Sequence, residues 1–135
     1  MAATITSATE GIAERLNTIT GLRVYENIPD SFQPPAAMIT IDTVDYHQAF
    51  RGGDSVYTFR ISLMVGRTDD RTAQKKLDEY LSYSGNKSIR QAVEADPTLG
   101  GRVEASVVTS GGNIAAIQVN EATYLGVEFD VTVHP

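Results

Sequence analysis

Glu128 and Asp130 stand two residues apart in an alternating apolar run, so they project from one side of a strand, where a carboxylate pair could act as general acid and base. That work requires surroundings that drive the two acids apart, and acids alternating along a wet sheet face have like surroundings. His47 and His134 are the only histidines, neither belongs to an HExxH pattern, and the chain has no cysteine, so a zinc ligand set is not expected. Ser110-Gly111-Gly112 and Arg51-Gly52-Gly53-Asp54 are rich in glycine but have neither the GxxxxGK[ST] spacing of a phosphate loop nor a GxGxxG that opens a helix, and both read as turns. Arg67 to Arg71 reads as a charged helix entry. No catalytic residue, cofactor or metal is expected; the enzyme alternative would be a small α+β enzyme combining Glu128 or Asp130 with His47.

The elements that must position these residues follow from the hydrophobic period. Ile5, Ala8, Ile12, Leu16 and Ile19 recur at steps of three and four, and Ser7 to Glu10 has capping-box spacing, which predicts a helix over much of residues 4–18, ended with help from Gly21. Leu22, Val24 and Tyr25 predict a short strand, and Pro29, Pro34 and Pro35 a surface connection. Ala37, Ile39 and Ile41 alternate in a second strand; Tyr57, Phe59, Ile61, Leu63 and Val65 alternate in a third, which pairs with it as a hairpin. Asp69 or Asp70 is placed to cap a helix whose buried face is Ala73, Leu77, Tyr80 and Leu81. A shorter helix carries Ile89, Ala92 and Val93, opens with Ser88 and Gln91 at capping-box spacing, and stops before Pro97. Val103, Ala105 and Val107 begin a strand that Gly111-Gly112-Asn113 turns and Ile114 to Val119 returns. Leu125, Val127, Phe129, Val131 and Val133 make the cleanest alternation of all. The expected fold is α+β: a single domain over residues 1–135, a mostly antiparallel sheet with an N-terminal helix and two central helices packed on one face.

At 135 residues the chain is long enough to bury roughly two-thirds of its unfolded surface without a staple. The absence of cysteine fits a reducing cytoplasm, and neither a signal-peptide pattern nor eighteen consecutive apolar residues is present, so a soluble, untargeted protein is expected. The net charge of -6 argues against ordinary duplex binding. Charge is also partitioned: residues 1–50 sum to -4, residues 51–96 to +1 and residues 97–135 to -3.

Gly21 to Phe50, GLRVYENIPDSFQPPAAMITIDTVDYHQAF, joins a helix exit, a Pro-Pro turn and a strand with an aromatic end. With Ala92 to Gly101, AVEADPTLGG, it resembles the tail terminator (tail completion) proteins of long-tailed phages and related prophages. The resemblance runs through nearly the whole chain in the same order of elements. It implies a structural protein of the virion tail and neck, assembled in the bacterial host cytoplasm. It also implies a hexameric ring on the end of the tail tube that stops polymerisation and offers a surface to the head connector or stopper protein. Its partners would be itself, the tail tube protein and the connector, with DNA passing through unbound. Another neck component, such as a stopper or head-completion protein, is the alternative within that class.

Two expectations about assembly come from the residues. The connection His47 to Ser55 is longer than the usual hairpin loop of two to five residues, and Tyr46, His47, Phe50, Arg51, Gly52, Gly53 and Asp54 make it an aromatic, flexible candidate for docking on a neighbour or on the tube. The charge map offers a heterologous pair of patches: Arg60, Arg67, Arg71, Lys75 and Lys76 against Glu10, Glu14, Glu26, Asp30, Glu104 and Glu128.

Overall fold

Steps of three and four wind Ile5–Leu16 into helix α1, which buries Ala8, Gly11, Ile12, Ala13 and Leu16. The computed structural model describes residues 5–26, 33–46, 55–68, 71–119 and 121–135. The capping box expected at Ser7 does not form, because the helix is already running at Ile5 and a cap must stand outside the helical turn. Thr9 instead donates its hydroxyl to the Ile5 carbonyl at 2.9 Å, within the first turn. Past Leu16 the chain turns through Gly21 at φ +85° into strand β1, Arg23–Tyr25.

Strand β1 pairs in parallel with β2, Ala36–Tyr46, which forms an antiparallel hairpin with β3, Ser55–Arg67. Helices α2, Ala73–Leu81, and α3, Ile89–Glu94, follow. Strands β4, Ala105–Val119, and β5, Ala122–His134, then complete a five-stranded sheet in the order β1-β2-β3-β5-β4. Both strands with the cleanest alternation, β3 and β5, lie inside the sheet as their period implies. Ile61 stands between Ile39 and Phe129, and Phe59 and Phe129 are 0 % and 3 % exposed.

All three helices share one core with one face of this sheet: α1 packs on β1, β2 and α3, α2 on β3 and β5, and α3 on β4. Leu77, Tyr80, Ile89, Val93 and Leu99 meet Phe59, Ile61, Leu63 and the apolar residues of β5 there. The architecture is a single α+β domain, and among the described residues no helix packs on the sheet face opposite the core. Among the described residues no helix is long and apolar enough to cross a membrane.

Local chemistry accounts for the helix ends. Thr72, not an aspartate, takes the N-cap position of α2, without a side-chain cap bond; Asp69 and Asp70 lie outside the described residues. Arg67 ends β3 rather than entering the helix. Ser88 caps α3 as its spacing predicts, accepting from Gln91 N at 3.1 Å, but Gln91 does not reach back. Its Oε1 accepts from Gly85 N at 3.0 Å, closing the preceding turn instead.

The largest departure is at β4. Gly111-Gly112-Asn113 does not turn the chain; one strand runs from Ala105 to Val119 along β5, with one-residue register shifts between Val108 and Ser110 and between Gly112 and Ala115. These are bulges, the second with Asn113 at φ +56°. The reversal comes after Val119. Gly111 is required by packing rather than by a turn, since a Cβ there would lie 2.8 Å from Phe129 Cε1 and 3.0 Å from Leu81 Cδ2. The face assigned to the start of this strand is also inverted: Val107 is exposed and Ser106 buried, its hydroxyl donating to the Pro97 carbonyl at 2.9 Å.

Candidate interaction surface

The sheet face opposite the helices gathers charged residues that the strand period projects away from the core. Arg60 on β3 stands between Thr40 and Asp130 in the ladder, and Glu128 lies one inward-facing residue further along β5. Its guanidinium reaches three carboxylates: Nε is 3.0 Å from Glu128 Oε2 and 3.7 Å from Asp130 Oδ1, and Nη2 is 3.5 Å from Asp42 Oδ1. Strand β4 adds a neutral donor to each of the β5 acids. Ser110 Oγ donates to Asp130 Oδ2 at 3.2 Å, and Asn113 Nδ2 donates to Glu128 Oε1. The bulge at Asn113 therefore aims a side chain at the acid cluster, which an unbroken alternation would not have done.

Arg60, Glu128, Asp130, Ser110 and Asn113 line a shallow depression of ≈ 160 Å³ together with Gly111 and Gly112. Glu128 and Asp130 take the same guanidinium and one neutral donor each, so the couple has the like surroundings of a charged ladder rather than the unlike ones of an acid and a base. Three carboxylates against one guanidinium leave the patch negative. His47 lies outside the described residues, and His134 is exposed at the end of β5. Among the described residues no group of three or more His, Cys, Asp or Glu is arranged to hold a metal ion.

The expected interface charges are dispersed. Arg60 and Glu128, assigned to opposite patches of neighbouring subunits, meet within one chain, because adjacent strands place them on one face. Glu14 is held by Arg102, whose Nη1 and Nη2 donate to its two carboxylate oxygens at 3.0 and 2.9 Å. Glu26 edges a hollow of ≈ 460 Å³ with Ile5, Thr9 and Ile41. Arg67, Arg71 and Lys75 are exposed around the entry to α2, with Lys76 half-buried, while Glu10 and Glu104 are exposed on α1 and before β4. Asp30 lies outside the described residues. Of the candidate assembly loop, Tyr46 is 73 % exposed at the end of β2. His47, Phe50, Arg51, Gly52, Gly53 and Asp54 lie outside the described residues, and Ser55 belongs to β3, paired with Tyr46.

Two features escaped sequence reasoning because what each holds in place, β4 in one case and α1 in the other, is distant in the chain. Arg90 lies over the Tyr83 ring, 3.6 Å from its centroid, and donates through Nε to the Tyr83 carbonyl at 2.7 Å. It also donates to Glu94 Oε1 at 3.0 Å, and Glu94 Oε2 accepts from Val108 N at 3.2 Å. Spacing alone would have found the i,i+4 pair Arg90 and Glu94, but not that its carboxylate covers the edge of β4. In the second feature, Asp96 accepts from Thr98 Oγ1 at 2.7 Å, Gly100 N at 3.0 Å and Thr98 N at 3.2 Å. The Thr98 hydroxyl above all, then the Gly100 amide, holds that carboxyl below the usual carboxylate range. This loop seats Leu99 on α1, where a Cβ on Gly11 would lie 2.7 Å from Leu99 Cβ.

Compared with protein-family models and with curated proteins, the chain matches none.

Proposed function

We propose that this chain is a structural tail terminator: a ring-forming protein of the phage or prophage virion that sits on the end of the tail tube, stops its growth and presents a surface for joining the head. The observation that carries the reading is the order of elements around the two segments of resemblance. Gly21 to Tyr46 runs from the exit of α1 through β1 and β2, and Ala92 to Gly101 runs from α3 into the Asp96 loop that seats on α1. Both segments thus converge on α1 in one α+β domain.

The negative patch around Arg60 supports a conduit, since a lumen that repels phosphate lets a genome slide where a basic one would hold it. The exposed Arg67, Arg71 and Lys75 offer positive charge to a neighbour's acidic surface.

Electron microscopy of the protein mixed with purified tail tubes tests the reading, with a ring expected at one end of each tube. A phage deleted for the gene is expected to make overlong tails that do not join heads. Tails of normal length on infectious particles would rule the assignment out, and capture on purified heads instead of tails would make the protein a stopper or head-completion component.

A further inference from the structure

The outward N–H and C=O groups of a sheet edge accept any strand, and native edges are protected by bulges, charged side chains or a covering element. Among the described residues β5 is the only strand partner of β4. Two register shifts, between Val108 and Ser110 and between Gly112 and Ala115, interrupt the ladder in the middle of β4. Ahead of the first shift lies a regular run, Ala105 to Val108, in which Val107 is 41 % exposed. That run has no proline and no charge of its own.

Its protection comes from α3. Val108 stands opposite Val131, yet its N–H donates to Glu94 Oε2 at 3.2 Å. The other oxygen of the same carboxylate, Oε1, accepts from Arg90 Nη1 at 3.0 Å, one helical turn back. Arg90 is itself fixed from the turn before α3: its Nε donates to the Tyr83 carbonyl at 2.7 Å, and the Tyr83 ring lies 3.6 Å from the guanidinium. One carboxylate oxygen thus sets the side-chain orientation of Glu94, and the other occupies the edge amide.

We infer that Glu94 is a guard on the β4 edge: it denies the Val108 amide to an incoming strand, and Arg90, braced on Tyr83, holds it in place. An intruding strand would offer that amide a carbonyl oxygen, and the carboxylate already stands there as an acceptor with no donor of its own. The contact is not needed to seat the helix. Ile89, Ala92 and Val93 hold α3 in the core, and Arg15 Nε of α1 donates to the Ala92 carbonyl at 3.0 Å. The guard belongs to the free chain and does not depend on the terminator reading.

In a purified sample the only strand open to an unguarded edge is that of another copy, so no ligand has to be added. Glu94→Ala removes both oxygens, whereas Glu94→Gln keeps one acceptor for the amide. At the lowest concentration that amide exchange by NMR allows, the Val108 amide is expected to exchange ~10-fold faster or more in Glu94→Ala than in the wild type, with Glu94→Gln between them. Exchange of the Val93 amide inside α3 is expected to stay unchanged, which a contact that merely seats the helix would not allow. As concentration rises, Glu94→Ala is expected to sediment as larger species than the wild type, and its Val108 amide to slow again as a second copy takes it. Arg90→Ala is expected to speed Val108 exchange by less than Glu94→Ala does. Val108 exchange equal to the wild type in Glu94→Ala, loss of protection at Val93 along with Val108, or sedimentation of Glu94→Ala identical to the wild type at every concentration overturns the proposal.

Discussion

Gly111 lies directly opposite Phe129 in the β4–β5 ladder, and the ring fills the space a side chain would occupy, 2.8 Å from where a Cβ would stand. Replacing a strand glycine by alanine ordinarily stabilises by reducing backbone entropy in the unfolded chain. Here the ring is 3 % exposed and Leu81 closes the other side at 3.0 Å, so neither neighbour can give freely. Gly111→Ala should therefore cost about 1–2 kcal/mol net, the overpacking term exceeding the entropy gain. Urea unfolding checks it, and in a Phe129→Leu background the loss should shrink or change sign.

Phe129 itself bridges β5 to α2 and to the centre of the sheet, paired with Ile61. Phe129→Ala should cost about 3–5 kcal/mol, because the emptied volume is lined by a sheet and a helix that cannot both collapse into it. A loss below about 1 kcal/mol in equilibrium denaturation would contradict its place in the core.

Arg60 is the shared cation of Asp42, Glu128 and Asp130, all partly exposed. Arg60→Met keeps the apolar stem and leaves three carboxylates on one face without a counter-charge. The expected loss is on the order of 1 kcal/mol, as partly exposed ion pairs contribute little each. It should diminish in 1 M salt, where the Debye length falls to ~3 Å. A loss that does not respond to salt would mean Arg60 acts through packing of its stem.

Tyr80 is 1 % exposed on the buried face of α2, and burial, reinforced by the neighbouring Glu79, pushes its phenol above the usual tyrosine range. A raised folded value makes the neutral phenol's contribution fully present below the unfolded value of ~10 and lost as pH rises through the folded one. Stability should therefore fall in alkali above ~10. Tyr80→Phe should flatten that decline relative to the wild type, as followed by thermal unfolding at each pH.

How far the fold could be read varied with the range of the interactions that settle each element. The period of two in Phe59 to Val65 and in Val127 to Val133, and the period of three and four in α1 and α2, are local, and they determined those elements, their buried faces and the α+β class. The same period placed Glu128 and Asp130 on one face, and the Ser88 cap was legible because its partner is three residues away. Neutrality of the stretch from Ala105 to Val119 was likewise written in the composition. Tertiary structure alone decided what that stretch is. Gly111-Gly112-Asn113 has the chemistry of a turn, yet Phe129 and Leu81, far off in the chain, need the missing Cβ, so the glycines lie in a continuous strand. Arg60 has the look of a surface charge, yet the two neighbouring strands, β2 and β5, bring it its own carboxylates. Local patterns choose a backbone state and a face; which distant side chains arrive on that face depends on strand order and register, and no local pattern in a single chain encodes either.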